Sequence, residues 1–238
     1  MRIQNLLKLK HRFREIISTD RTPGSLHWLI DSEKKYGGYT SGVPRNHVSP
    51  NDDRTTEELQ TGGMIGGDRM PSSHCGYGLY YAKYLKPFVL ANQKVTLVET
   101  GILRGIGLAT WCDLFPDGRV IGLDIDLGHI TSNTPILEKL GAFSQNSPEL
   151  HEFDQLVDNR EMLGRILDQD KVDIAIDDGL HSVDSIIKTM RSLQPHLAND
   201  FVYFVEDNAQ AHKSIRSEFP EFQVQNYGML SIIRPNNT

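Results

Sequence analysis

Short apolar runs alternate with amphipathic ones along most of this chain, which predicts strands and helices in turn. β-rich runs span Val95 to Glu99, Arg119 to Asp124, Glu149 to Phe153, Val172 to Ile176 and Phe201 to Val205. Helical patterns cover Leu108 to Phe115, Asn159 to Leu167 and about Ala209 to Glu218; another places Val183, Ile186, Ile187, Met190 and Leu193 on one face. Val172 to Ile176 is of the apolar, β-branched type that parallel strands buried on both faces show. The last two runs, near Phe222 to Gln225 and Met229 to Ile233, lie too close for a crossover helix, so they are expected to pair antiparallel. The pattern predicts a doubly wound α/β fold with a mostly parallel seven-stranded sheet, a C-terminal antiparallel hairpin and a helical N-terminal extension.

Within that extension, residues 1–17 carry Ile3, Leu6, Leu7, Phe13, Ile16 and Ile17 at helical spacing opposite a basic face. This reads first as a helix packed on the domain or on a partner subunit. A membrane-surface anchor or targeting peptide is the alternative. A second helix is expected over Ser25 to Tyr36, stopped by Gly37 and Gly38. Residues 37–66 are rich in Gly, Pro, Ser, Thr, Asn and Asp and read as loop, either a lid over an active site or a linker. A turn at 66–69 leads into a further helix over Tyr77 to Tyr84. The expected division is 1–65 for the helices and loop, and 66–238 for the ligand-binding domain.

Composition narrows the function. The chain has 238 residues, net charge −6 and two cysteines. No basic block points to nucleic acid, and a small or neutral partner fits better. Cys75 and Cys112 form no metal or redox spacing, so a reducing cytoplasm fits. The longest apolar runs are far too short to span a bilayer. Assembly into homo-oligomers stays open.

The chemistry concentrates where strands end. Val95 to Asp124 reads strand, glycine turn, helix, strand, a βαβ unit whose second strand ends on an acid. Its turn, Glu99-x-Gly101-x-x-x-Gly105-x-Gly107, lacks the G-x-G-x-x-G spacing of a dinucleotide site. A helix N-terminus there suits a polar ligand, and Asp124 can accept from ribose hydroxyls. Two later strands also end in acids, Asp177-Asp178 and Glu206-Asp207, and neighbouring strand ends lie about 5 Å apart. Carboxylates so close repel unless protonated or metal-bound, and an all-oxygen set selects Mg²⁺ over zinc. His181, three residues after Asp178, can serve as a base beside them.

The glycine turn resembles motif I of the class I S-adenosylmethionine (SAM)-dependent methyltransferases. Asp177-Asp178-Gly179-Leu180-His181 and Glu206-Asp207 resemble the D-D-G-S-H and E-D signatures of the macrolide-sugar, mycinamicin-type O-methyltransferases. Gly66-Gly67-Asp68-Arg69 with His74, Tyr77 and Tyr81 is similar to that family's G-T-D-K … H-x-Y … Y segment. Gly67 replaces threonine, Arg69 lysine and Leu180 serine. The resemblance covers about 66–235 and implies a Rossmann-like fold, SAM and Mg²⁺ as cofactors, and a small-molecule hydroxyl acceptor, a sugar in the first instance. It implies Asp178, Glu206 and Asp207 as metal ligands and His181 as catalytic base. On the cofactor side it implies Asp68, Arg69 and Tyr77 at the methionine end of SAM, with Glu99, Gly101 and Gly105 at the turn. Asp124 is then at the ribose, Asp154 or Gln155 at the adenine edge, and Asp177 beside them. A catechol or vicinal-diol acceptor, or a non-catalytic binding subunit on the same fold, are the alternatives. A nicotinamide oxidoreductase is disfavoured by the glycine spacing and by the lack of a Tyr-x-x-x-Lys after the fourth strand.

Overall fold

The computed structural model describes residues 19–37, 55, 57, 67–91 and 94–236. The basic amphipathic stretch 1–17 and almost all of the loop 37–66 lie outside them. The described helices are α1 (Leu26–Tyr36), α2 (Gly78–Ala91), α3 (Ile106–Leu114), α4 (Gly128–Lys139), α5 (Arg160–Leu167), α6 (Val183–Leu193) and α7 (Ala211–Glu218). The strands are β1 (Thr96–Thr100), β2 (Arg119–Asp124), β3 (Glu149–Glu152), β4 (Val172–Asp177), β5 (Leu197–Val205), β6 (Phe222–Tyr227) and β7 (Leu230–Pro235). They form one seven-stranded sheet in the order β3-β2-β1-β4-β5-β7-β6. The β3 to β5 block is parallel throughout, whereas β7 runs antiparallel to both β5 and β6. Among the described residues no helix is long and apolar enough to cross a membrane.

Strand side chains alternate between two cores. On one face Leu97, Ile174, Ile176, Val202 and Phe204 pack with Leu29 of α1, Tyr81 of α2 and Trp111 of α3. On the other, Val98, Ala175, Tyr203 and Val205 pack with Leu163 of α5, Met190 of α6 and Ile215 of α7. Both faces of the central strands are covered, which is why Val172 to Ile176 reads as a nearly unbroken apolar run.

Most elements lie within two residues of the sequence reading, with β1 one residue later; three differ more. β5 begins at Leu197 rather than Phe201, its start hidden by exposed Asn199 and Asp200. α2 runs past Tyr84 to Ala91 and carries Pro87 in its interior, where the exposed ring costs one backbone bond. α4 has no counterpart in the sequence reading. Its buried face is only Ile130, Asn133 and Leu137, and the central polar residue breaks the apolar stripe. Asn133 is buried because its side chain exchanges hydrogen bonds with Arg104: Nδ2 donates to the carbonyl and Oδ1 accepts from the guanidinium, both at 2.8 Å.

Candidate active site

The glycine turn closes on the protein itself. Gly101 has φ +83°, and a Cβ there would lie 2.2 Å from the Asp178 carbonyl oxygen, so only glycine lets the β1 turn touch the end of β4. Asp124 fastens this turn from β2. Its Oδ2 accepts from the amides of Ile102 and Leu103 at 2.9 and 3.0 Å, and its Oδ1 from Asp126 at 3.1 Å. A carboxylate offers about four acceptor directions, so about one remains on Oδ1 for a ligand hydroxyl. α3 starts at Gly105 with no side-chain cap, leaving its first amides to face the mouth of the sheet.

At the end of β4, strand alternation sends the adjacent acids Asp177 and Asp178 to opposite faces. Asp177 points into the α6 side. Its Oδ1 accepts from Gln155 Nε2 at 2.8 Å, and Tyr203 donates to Oδ2 at 3.4 Å. Burial pushes its carboxyl up to about 6. Gln155 also accepts from the Leu180 amide at 2.7 Å, so it ties the end of β3 to the 177–181 loop. Asp154 forms a local turn, with Oδ1 accepting from the Leu156 amide at 2.8 Å. It does not cap α5, whose first turn follows Asn159.

Asp178, Glu206 and Glu99 point the other way, onto Arg69. The guanidinium reaches Glu99 at 2.7 Å, Asp178 Oδ2 at 2.8 Å and Glu206 Oε2 at 3.0 Å, and lies over the Tyr81 and Trp111 rings. Tyr81 donates to the second oxygen of Glu206, and Trp111 Nε1 to Glu99 at 3.1 Å. One cation among three carboxylates leaves an excess of negative charge. Burial accordingly raises the carboxyls of Glu99, Asp178 and Glu206, although Arg69 opposes it. Burial works against the Arg69 charge too, but Glu206 and Glu99 outweigh it and hold the guanidinium protonated.

Asp178 and Asp207 meet His181 at the rim, each offering one ligand atom within 4.8 Å of the others. His181 Nε2 lies 3.9 Å from Asp178 Oδ1, too far for a hydrogen bond. His181 and Asp207 both adopt left-handed backbone, φ 61° and 54°, a strain found where side chains are held for function. Asn208 Nδ2 fixes the His181 carbonyl at 2.7 Å, and the Tyr77 hydroxyl donates to Asp207 Oδ1 at 2.5 Å.

The structure thus brings Asp178, Asp207 and His181 together and sets Glu206 behind them, against Arg69 and Tyr81. Asp68 lies one position before Arg69, its Oδ2 accepting from Cys75 Sγ at 3.3 Å. Glu33, Trp111 and Asn208 were not singled out from the sequence. Glu33, 3% exposed, accepts from the Met70 amide at 2.8 Å and so pins the segment carrying Arg69. Its signal was available: it continues the stripe of Leu26, Leu29 and Ile30 at helical spacing.

No family model matches the chain, and no curated protein matches it. Solved structures do. The MycE methyltransferase from the mycinamycin biosynthetic pathway, in complex with Mg, SAH and mycinamycin VI, aligns with a TM-score of 0.54 at 20% identity. That alignment covers 70% of this chain and 51% of MycE, so the chain spans about half the length of that relative. A Klebsiella pneumoniae protein provisionally assigned as an O-methyltransferase aligns over 95% of both chains, with a TM-score of 0.52 at 12% identity. The strand order, the antiparallel β7 and these alignments agree: the chain has the class I methyltransferase fold and in that fold resembles MycE.

Proposed function

We propose that this protein is a SAM- and Mg²⁺-dependent O-methyltransferase whose acceptor is a hydroxyl of a sugar or glycosylated natural product. The observation that carries the reading is the Asp178, His181 and Asp207 cluster, seated at the strand ends where the Gly101 turn touches Asp178. The MycE complex, which holds Mg, SAH and mycinamycin VI, supports the same pairing.

When bound, SAM supplies a methyl group on a sulfonium leaving group and Mg²⁺ lowers the pKa of a coordinated hydroxyl. The chain's own residues do the rest. Asp178 and Asp207 hold the cation, since a hard ion takes carboxylate oxygen ahead of imidazole. His181 is thereby left beside the cation to take the acceptor proton at Nε2. Glu206 has both oxygens engaged by Arg69 and Tyr81 and so holds the guanidinium that also grips Asp178. Asp124 orients the ribose with its remaining acceptor direction, the Gly101 and Gly105 turn lies along the methionine part, and Asp154 faces the adenine edge. No general acid is needed, because the sulfonium leaves as a neutral thioether.

The test is transfer of labelled methyl from SAM to a panel of glycosylated acceptors. EDTA should abolish turnover and Mg²⁺ restore it. His181→Ala should lower kcat by roughly 10²–10⁴ while the KM for SAM barely moves. Activity that survives both EDTA and the substitution overturns the reading.

A further inference from the structure

The segment 67–77 is tied to itself and to α1. The Tyr77 amide donates to the Arg69 carbonyl at 2.9 Å, the Cys75 amide to the Asp68 carbonyl at 3.1 Å, and the Met70 amide to Glu33 at 2.8 Å. From this braced segment two donors reach the two carboxylates assigned above to the cation. Arg69 takes Oδ2 of Asp178, and Tyr77 takes Oδ1 of Asp207. Tyr77 is 4% exposed.

We propose that Tyr77 and Arg69 are positioning residues of the cation site: each occupies one oxygen of a ligand carboxylate, restricts it to one-oxygen contact and so selects Mg²⁺ over Ca²⁺. The inference rests on the reading that Asp178 and Asp207 hold the cation. Mg²⁺ is small, demands octahedral geometry and keeps several waters, which suits carboxylates that each present one oxygen. Ca²⁺ takes more oxygens, often both from one carboxylate. Partners that hydrogen-bond a ligand carboxylate fix its orientation, and losing one typically costs 10–100-fold in metal affinity. Arg69 suits its place because its planar fork presents separate N–H groups, Nε to Glu206 and Nη2 to Asp178, in a fixed geometry that a flexible ammonium does not hold.

The test is calorimetric titration of the full chain and its Tyr77→Phe variant with Mg²⁺, with Ca²⁺ and, separately, with SAM. In the variant, Mg²⁺ affinity should fall roughly 10–100-fold, Ca²⁺ affinity should fall less, and SAM affinity should hold. Arg69→Lys, which keeps the charge and loses the fork, should show the same selective loss; if it fails to fold, Tyr77→Phe decides alone. An unchanged ratio of Mg²⁺ to Ca²⁺ affinity in Tyr77→Phe, or a loss of SAM affinity in its place, overturns the proposal. A wild-type chain that binds no Mg²⁺ overturns the functional reading as well, whereas a wild type that binds it with an unaltered variant overturns only this inference.

Discussion

Replacing Glu33 by glutamine should make the protein more stable at neutral and alkaline pH. Burial, only partly offset by Arg69, pushes the Glu33 carboxyl from 4.5 up to about 7. The folded chain therefore holds this proton more tightly than the unfolded chain. That contribution is complete below about 4.5 and is lost as the pH rises through about 7. At about 1.4 kcal/mol per pKa unit, ionised Glu33 costs the native state about 3 kcal/mol. Glutamine has nearly the same shape, keeps an oxygen to accept the Met70 amide, and never ionises. Urea unfolding of wild type and Glu33→Gln across the pH range gives the difference directly. It should be about 1 kcal/mol near pH 5 and grow to about 3 kcal/mol near pH 8 in favour of the variant. Asp177, pushed up by burial to about 6, tilts both proteins alike and cancels in the difference. A difference that stays flat with pH, or a variant less stable at pH 8, would refute the reasoning.

Gly107→Ala tests the crowding around Arg69. The added Cβ would stand 2.4 Å from a Glu99 oxygen and 2.9 Å from an Arg69 nitrogen, so stability measured in urea should fall by about 1–3 kcal/mol. A neutral or stabilising alanine would show that the ion pair gives way freely. Asp124→Ala should weaken SAM binding by roughly 1–3 kcal/mol, through the lost ribose contact and the released Ile102 and Leu103 amides; unchanged affinity by calorimetry would remove Asp124 from the cofactor site.

Much of this architecture was legible because strands and their terminal acids are local features. An unbroken apolar run such as Val172 to Ile176 marks a central parallel strand, and an acid after it marks the mouth. The spacing that joins Asp178 to His181 needs no long-range information. The partners of the acids were another matter. Four carboxylates at two strand ends called for a cation, and the sequence reading supplied only a metal; the fold also supplies Arg69, far away in sequence and brought in by a segment anchored on α1. Tyr77 and Arg69, expected on the cofactor, meet Asp207 and Asp178, a pairing across more than a hundred residues that no periodicity records. α4 escaped for a different reason: its central buried residue is Asn133, whose partner Arg104 lies on the glycine turn.

A crystal structure with S-adenosylhomocysteine and Mg²⁺ tests the central claim most directly. The account predicts Mg²⁺ at roughly 2.0–2.1 Å from one oxygen each of Asp178 and Asp207, with the thioether sulfur over the Gly101 turn and His181 facing the open side of the ion. A cation bound away from these two carboxylates, or a cofactor lying outside the mouth formed by β1, β2 and β4, would contradict it.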